Sequence, residues 1–243
     1  MTLNLDGKTI LVTGAAQRVG RSLTLALARA DADVILHYGR SQAQAESLQR
    51  EIHALGRQAH LIQADLADPA AVEMLFEYAA ALGPVHGLVN NASIFEPLDL
   101  QSTRLEDWNR HLMVNLTAPF LLSQAFARAL PANTTGRIIN LLDWRALRPG
   151  PNHLPYTISK SALAALTPSL AAALAPRITV NALALGAILP PSDGSDTSDI
   201  LQSVPAQRWA SLDEVEEALL FLLSGPSYIT GEIIHVCGGR HLV

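Results

Sequence analysis

The stretch Ile10-Leu11-Val12-Thr13-Gly14-Ala15-Ala16-Gln17-Arg18-Val19-Gly20 decides the fold of this chain. Its first four residues form a short run with high β propensity, and a helical pattern continues from the second glycine to Ala30. This order suits a dinucleotide phosphate loop, because glycines allow close backbone approach and a helix N-terminus attracts a pyrophosphate. The spacing T-G-x-x-x-R-x-G has Arg18 in place of a third glycine, so an ordinary strand–helix turn with a solvated arginine is the alternative.

The length and composition limit the classes of protein to consider. The chain has 243 residues, 49% of them hydrophobic, which predicts one sizeable globular domain over residues 1–243. The net charge of −5 and the absence of a lysine and arginine block argue against a nucleic-acid partner or an anionic membrane surface. The single cysteine, Cys237, excludes an internal disulfide and suits a reducing compartment. With no signal peptide before the first strand, Lys8–Thr13, we expect a cytoplasmic protein without a membrane partner.

The second predicted strand, Val34–Tyr38, indicates which nucleotide the loop binds. An NAD site usually has an acidic residue at the end of this strand, where it takes both ribose hydroxyls. Here Asp33 comes before the strand, and Arg40 and Ser41 follow it. The charge of Arg40 and the hydroxyl of Ser41 suit a 2′-phosphate, so the sequence predicts NADPH as the cofactor. The alternative is an exposed arginine at a helix start.

Strand-like and helix-like segments alternate along the rest of the chain. The further predicted strands are Ala59–Ala64, Val85–Val89, Arg137–Leu142, Ile178–Leu183 and Glu232–Val236. The predicted helices are Gln42–Leu55, Pro69–Ala81, Thr103–Leu130, Leu154–Ala175 and one that begins after Ser211, with capping boxes at Thr103–Glu106 and Ser211–Glu214 and a loop over Gly186–Asp199. This alternation predicts an α/β fold: a Rossmann-like doubly wound parallel sheet of about seven strands, with helices on both faces of a single domain.

Ligands of such sheets bind beyond the C-terminal ends of the strands. Arg18, Asn90, Asp143 and the helix of Tyr156 all follow such ends, so we expect them to converge. Tyr156 and Lys160 are spaced i, i+4 and share one helix face, although this spacing is also common on solvated helices. A free tyrosine has a pKa of about 10, and a neighbouring ammonium favours the phenolate, which adapts the hydroxyl to acid–base work.

Taken together in this order, the motifs make the sequence resemble the short-chain dehydrogenase/reductase family over essentially the whole chain. The resemblance rests on Thr13-Gly14…Gly20, Asn90-Asn91-Ala92, Asn115, Tyr156…Lys160, Val180-Asn181 and Tyr228-Ile229-Thr230-Gly231. It implies that Tyr156 is the proton donor, and that Lys160 binds the nicotinamide ribose and lowers the pKa of the tyrosine. It also implies that Asn115 holds a water that relays protons and that Asn90 borders the cofactor.

The resemblance implies a complete cofactor site at the C-terminal edge of the sheet. Its residues are Gly14, Arg18, Val19, Gly20, His37, Tyr38, Arg40, Ser41, Asp65, Leu66, Asn91, Ala92, Ser93, Tyr156, Lys160, Gly186 and Ile188. Two departures from the family pattern lie nearby. The usual Pro-Gly after the sixth strand is Leu185-Gly186 here, and Pro168 is expected to kink the helix that carries Tyr156 and Lys160.

A third departure points to a subgroup of the family. The usual active-site serine, thirteen residues before the tyrosine, is Asp143 here. With Gly14–Gly20, His37–Ser41, Asn91–Phe95 and the tail Gly238–Leu242, it makes the chain similar to pteridine reductases and dihydromonapterin reductases. That similarity implies that Phe95 stacks a pterin against the nicotinamide and that Arg18 bridges the cofactor phosphate and the substrate. The implied substrate-binding residues are Arg18, Ser93, Phe95, Asp143 and Tyr156.

Two other functions stay open beside a pterin reductase. A carbonyl reductase, such as a 3-oxoacyl-thioester reductase, shares the fold and the pair Tyr156 and Lys160. A non-catalytic NADP(H)-binding regulator is the third function, and the presence of Asn115 beside that pair argues against it. Phe95 has a core aromatic as its alternative, and Trp144 either lines the pocket or caps the strand. No His/Cys cluster has ligand spacing, so we expect no metal site.

The two longest predicted helices indicate an assembly. Thr103–Leu130 and Leu154–Ala175 are apolar around much of their circumference, more than one sheet face can bury. The family resemblance implies that these two helices pair across a dimer interface. We therefore expect a homotetramer.

Overall fold

The structure is a computed structural model, and it describes residues 4–190 and 198–243. These residues form seven strands: β1 Thr9–Val12, β2 Asp33–Tyr38, β3 Ala59–Gln63, β4 Gly87–Asn90, β5 Gly136–Asp143, β6 Ile178–Leu185 and β7 Ile233–Val236. They also form eight α-helices: α1 Arg18–Arg29, α2 Gln42–Ala54, α3 Pro69–Ala81, α4 Leu105–Leu112, α5 Ala118–Ala129, α6 Leu154–Leu174, α7 Ser198–Gln202 and α8 Leu212–Ser224. A π-helical turn, Met113–Thr117, joins α4 to α5, and 3₁₀ turns cover Trp144–Ala146 and Arg240–Leu242.

All seven strands form one parallel sheet in the order β3-β2-β1-β4-β5-β6-β7. The prediction of a doubly wound parallel sheet is confirmed. The strand order reverses between β1 and β4, which is where open α/β sheets place their ligands. The two loops there are joined, because the Asn91 amide donates to the Thr13 carbonyl at 2.8 Å and the Thr13 N–H donates to the Val89 carbonyl at 3.0 Å.

Apolar side chains cover both faces of the sheet, so the central strands are buried on each side. On one face, Leu23 of α1 and Leu219 of α8 pack in the same buried cluster. On the other face, Phe76 of α3 and Phe126 of α5 pack edge to face, with ring centres 6.3 Å apart. This packing holds the C-terminal strand ends in fixed positions for the loops above them. None of the described helices is long and apolar enough to cross a membrane.

The predicted helix Thr103–Leu130 is wrong in two respects. It begins two residues later, at Leu105, because the Thr103 hydroxyl donates to the Asp99 carbonyl, and Arg104 is the N-cap, whose N–H donates to the Asp107 carboxylate at 3.4 Å. It is also divided by the π-helical turn Met113–Thr117. Pro119 has no N–H to donate four residues back, so an uninterrupted α-helix would leave the Asn115 carbonyl unpaired at this point. The second predicted capping box is confirmed, since the Ser211 N–H donates to Glu214 at 2.8 Å.

Helix α6 continues through Pro168 as far as Leu174, in agreement with the predicted helix Leu154–Ala175. One expectation for the second half of the chain needs correction. The predicted loop Gly186–Asp199 reaches into α7, which begins at Ser198, and residues 191–197 of that loop lie outside the described part of the chain.

His37, predicted to bind the cofactor, also supports the glycine loop from below. The Gly14 N–H donates to its Nδ1 at 3.1 Å, so Nε2 carries the ring proton and donates to the Ala64 carbonyl at 3.1 Å. Burial lowers the pKa of His37 from 6.5 to about 4. The neutral ring therefore fixes the start of the loop to the end of β2.

Stability should fall in mild acid because of this buried histidine. Between pH 6.5 and about 4 the unfolded chain binds the His37 proton while the folded chain does not, so acid removes stability in that window. The loss contributed by this group is about 3 kcal/mol, from the two pKa values. Urea unfolding at neutral pH and near pH 4 should show that the free energy of unfolding depends less on pH in His37→Gln than in wild type. An equal pH dependence of the unfolding free energy in the two proteins would contradict this role of the buried His37 ring.

Candidate active site

A cavity of about 820 Å³ opens at the switch point of the sheet, and it brings together most of the predicted site. The predicted residues that line it are Gly14, Arg18, Val19, Gly20, His37, Arg40, Asp65, Leu66, Asn91, Ala92, Ser93, Phe95, Asp143, Tyr156, Lys160, Gly186 and Ile188. The predicted residues Tyr38, Ser41, Asn90 and Asn115 do not line it. Tyr38 instead packs in a buried cluster with Ala16 and Ala45, and Ser41 precedes the first turn of α2.

The glycine loop has the shape that a dinucleotide requires. Gly14 has a φ of +62°, a conformation that side chains disfavour, and a Cβ on Gly20 would lie 2.1 Å from the Gly14 carbonyl oxygen. The Asn91 amide donates to that same carbonyl at 3.1 Å and holds the turn closed. Bare backbone therefore faces the cavity at the N-terminus of α1, so these residues fit a pyrophosphate.

Two arginines extend the dinucleotide site from this loop. Arg40 follows β2, is exposed and lines the cavity where no acidic side chain ends the strand. Arg18 has a φ of +52°, and its guanidinium donates to the Pro190 carbonyl at 3.2 Å. Arg18 thus connects the glycine loop to the segment after β6. Gly186 begins that segment, and an added Cβ there would lie 2.6 Å from the Cys237 Cα, so the glycine is required despite the departure at Leu185.

Tyr156 and Asp143 form the centre of the site. Asp143 ends β5 and Tyr156 lies in the first turn of α6, and the tyrosine hydroxyl donates to the Asp143 carboxylate at 3.1 Å. Burial, and then the Asp143 charge, raise the pKa of Tyr156 well above its ordinary value of about 10. The phenol therefore holds its proton at neutral pH.

Lys160 makes no hydrogen bond to Tyr156 in the described part of the chain, and the role that the family resemblance gives it stays a prediction. Its ammonium donates to the Leu141 carbonyl at 2.7 Å and lies 6.0 Å from the centre of the Tyr156 ring. Burial, and then the carboxylate of Asp143, have the largest effects on the pKa of Tyr156. Burial lowers the pKa of Lys160 itself from 10.5 to about 8, while the Asp143 charge opposes that change.

The Asn115 side chain positions the site and has no capacity left for a water. Its amide group donates to the Ile94 carbonyl and to the Ser159 hydroxyl, each at 3.0 Å. Its oxygen accepts from the Ile94 N–H at 2.9 Å and from the Ser93 hydroxyl at 3.1 Å. All four bonding positions of the amide are thus used. A water relay at this residue would have to use its backbone carbonyl, which lacks an α-helical donor because of Pro119.

Phe95 is a cavity residue, so the alternative of a core aromatic is wrong. Its side chain is 50% exposed, and the ring stacks on His153 with centres 4.1 Å apart and planes 8° apart. Tyr156 meets the same ring edge-on at 4.6 Å. The half-exposed Phe95 ring therefore stands in the cavity beside His153, Tyr156 and the Arg145 guanidinium, whose carbon lies 5.6 Å from its centre.

Three further cavity residues were missed or left undecided by the sequence reasoning. Trp144 lines the cavity, which settles its two alternatives. The Arg145 guanidinium lies 3.4 Å from the Asp143 carboxylate, and its backbone N–H donates to the same group at 2.8 Å. Arg240, in the Gly-Gly-Arg-His-Leu tail, also lines the cavity. Its place near Asp143 depends on the tertiary fold, and only the tail motif signalled it.

These features define a class of α/β oxidoreductases. Its members have a parallel sheet, a glycine-lined nucleotide cavity, and a buried tyrosine and lysine one helical turn apart. The chain belongs to the short-chain dehydrogenase family, because the family model described as short chain dehydrogenase matches residues 8–200.

Relatives at similar identity carry different names. A 3-oxoacyl-[acyl-carrier-protein] reductase of Synechocystis sp. is 33% identical over 240 residues, covering 97% of both chains. The structure of FolM Alternative dihydrofolate reductase 1 from Brucella canis, complexed with NADP, is 36% identical with a TM-score of 0.91, covering 98% of this chain and 95% of that one. A putative NAD(P) dependent gluconate 5-dehydrogenase from Beutenbergia cavernae, solved with NADP, is 33% identical with a TM-score of 0.93 over the whole of both chains.

Proposed function

We propose that this protein is an NADPH-dependent reductase of a pterin, which converts a dihydropterin or dihydrofolate to the tetrahydro form at a C=N bond. The observation that carries the proposal is the hydrogen bond of 3.1 Å from the Tyr156 hydroxyl to the Asp143 carboxylate. NADPH would supply the hydride. The similarity to a dihydrofolate reductase of the same family supports this substrate class.

The chemistry of Asp143 separates a pterin from a carbonyl substrate. A carbonyl oxygen that receives hydride develops negative charge and needs hydrogen-bond donors. An ionised aspartate has no proton to donate and repels that charge. A pterin instead presents N–H groups, which a carboxylate accepts, and a ring nitrogen that must gain a proton.

The other residues of the site fit these requirements. Tyr156 holds a proton at neutral pH and points it at Asp143, so the two groups can share the proton that the ring nitrogen receives. The half-exposed ring of Phe95 would offer an aromatic partner for a flat ring beside them. Ser93, fixed by Asn115, lines the same cavity, and Lys160 would hold the nicotinamide ribose.

A 3-oxoacyl-thioester reductase is the second candidate, and the relatives with that name favour it. NADPH oxidation measured in parallel with a dihydropterin and with a 3-oxoacyl thioester separates the two functions. We expect kcat/KM for the dihydropterin to exceed that for the thioester. Turnover of the thioester alone would overturn the proposal, and turnover of neither would favour a non-catalytic NADP(H)-binding protein.

Arg40 is expected to select NADPH over NADH. A charge-assisted contact with the 2′-phosphate contributes about 1.5–3 kcal/mol, so Arg40→Ala should weaken NADPH binding roughly ten-fold to a hundred-fold and NADH binding far less. Fluorescence titration with both nucleotides gives the comparison. Arg50→Ala is the matched control, because Arg50 is an exposed arginine of α2 outside the cavity. A parallel loss of NADPH and NADH affinity in Arg40→Ala would contradict this role.

We further propose that the protein is a homotetramer. Leu105 of α4, Phe120 of α5 and Ile158 of α6 are large apolar side chains that stand exposed on the single chain. Phe120 also lines a small groove with Leu170 and Leu174 of α6, which joins the two helix faces that the family resemblance pairs. Light scattering at micromolar concentration should give a mass near four times 26.0 kDa, and a monomer mass would contradict the assembly.

A further inference from the structure

Two arginine guanidinium groups pack on the Trp144 ring inside the cavity. The guanidinium carbon of Arg240 lies 4.3 Å from the centre of the indole, and that of Arg145 lies 5.0 Å from the same ring. All three side chains line the cavity beside Asp143. Arginine stacks well on aromatic faces, which leaves the N–H groups at its edge free to bind the oxygens of a carboxylate or a phosphate.

The two arginines differ in how their charge is compensated. Arg145 is paired with Asp143, since its Nη1 lies 3.4 Å and 3.5 Å from the two carboxylate oxygens. Arg240 has no carboxylate within 4.0 Å among the residues that the structure describes, and its buried Nε has no acceptor there. Burial, and then the charge of Arg145, lower the pKa of Arg240 from its ordinary value. A half-buried cation without a partner is costly unless a ligand supplies an acceptor.

The remaining charged groups of the cavity do not offer that acceptor. Glu96 is bound to Arg110 at 2.6 Å and 2.8 Å. Asp65 follows β3 at the end of the cavity where His37 and Arg40 lie. The carboxylate of Asp143 is thus already paired with Arg145, and the positive charge of Arg240 has no such partner in the described part of the chain.

We propose that Arg240 and Arg145, stacked on Trp144, bind an anionic group of the substrate, a carboxylate or a phosphate attached to the part that is reduced. The Arg145 guanidinium carbon lies 5.6 Å from the centre of Phe95, so the anion would sit close to a ring stacked there. The inference rests on the proposed function for the identity of that ring. It deepens that function by excluding a substrate with a neutral side chain as the preferred one.

Matched substrates test the subsite. We would measure kcat/KM for dihydroneopterin, which is neutral, for its phosphate ester, and for dihydrofolate, which carries carboxylates. The variant is Arg240→Gln, since a change at Arg145 would also disturb Asp143. The control is Arg148→Gln, an exposed arginine outside the cavity. The two anionic substrates distinguish a phosphate from a carboxylate as the bound group.

For wild type we expect kcat/KM to be higher with the preferred anionic substrate than with the neutral one. The ratio of anionic to neutral kcat/KM should fall about ten-fold to a hundred-fold in Arg240→Gln and stay at the wild-type value in Arg148→Gln. An unchanged ratio in Arg240→Gln, or equal wild-type kcat/KM for neutral and anionic substrates, would overturn the subsite.

Two further measurements separate failure of the subsite from failure of the proposed function. If only thioesters are reduced, the pterin function fails. The same test of the subsite then compares kcat/KM for an anionic coenzyme A thioester with kcat/KM for a neutral N-acetylcysteamine thioester. If nothing is reduced, calorimetric binding of folate and of neutral biopterin to the NADP⁺-loaded protein replaces turnover. The subsite then predicts tighter binding of folate, lost in Arg240→Gln, and equal binding of the two ligands would overturn it.

Discussion

Asp143→Ala and Tyr156→Phe are each expected to lose most of the turnover of a dihydropterin while NADPH binding survives. The tyrosine hydroxyl and the carboxylate are 3.1 Å apart, and each variant removes one of the two groups that share the transferred proton. Positioned acid–base groups contribute about 10²–10⁴-fold to a rate, so kcat should fall by that order. The phosphate loop is formed by other residues, so titration with NADPH should give an affinity near that of wild type.

The replacement Asp143→Ser tests why the aspartate is there. Serine would restore the hydrogen-bond donor that a carbonyl reductase needs, but it cannot accept from the N–H groups of a pterin as an ionised carboxylate does. We expect no rescue of dihydropterin turnover. Full dihydropterin activity in Asp143→Ser would show that the carboxylate is not required.

Gly20→Ala is expected to abolish tight NADPH binding and to destabilise the protein. Alanine in the interior of a relaxed helix usually stabilises a protein by about 1 kcal/mol relative to glycine. A loss of stability in Gly20→Ala would therefore indicate a steric clash at this position. The added Cβ would lie 2.1 Å from the Gly14 carbonyl oxygen and 2.6 Å from the Asn91 amide nitrogen, and both belong to the cradle. Forcing them apart should cost about 1–3 kcal/mol of unfolding free energy and distort the phosphate site.

The matched control for this variant is Gly150→Ala. Gly150 lies in the loop before α6, and no atom lies within 4 Å of a Cβ added there. Thermal unfolding and NADPH titration of both variants should show that only Gly20→Ala is impaired. Wild-type affinity for NADPH in Gly20→Ala would contradict the close approach at the loop.

The sequence was sufficient for the fold and for the centre of the site, because both depend on local patterns. Strand–helix alternation with glycine at the first turn predicts a parallel sheet, and the end of each strand then places Asp143 and Tyr156 at one edge. Seventeen predicted residues meet in one cavity for this reason. The family pattern supplied the roles predicted for them.

Contacts between distant segments could not be predicted in the same way. The tail that carries Arg240 meets Trp144 only because β7 lies beside β6 in the sheet. His37 follows the apolar run Val34–Leu36 in β2, and nothing in that pattern shows that its ring accepts from Gly14. The π-helical turn before Pro119 likewise depends on how α4 and α5 pack, although the proline marks the place.

The most direct test of the proposed function follows the hydride itself. The purified protein would be incubated with a dihydropterin, a 3-oxoacyl thioester and NADPH that carries deuterium at the transferable position, and the products would be analysed by mass spectrometry and NMR. We expect one deuterium on the ring carbon of the reduced C=N bond of the pterin, and its loss in Asp143→Ala. Deuterium on the carbinol carbon of the thioester product, with none in the pterin, would contradict it.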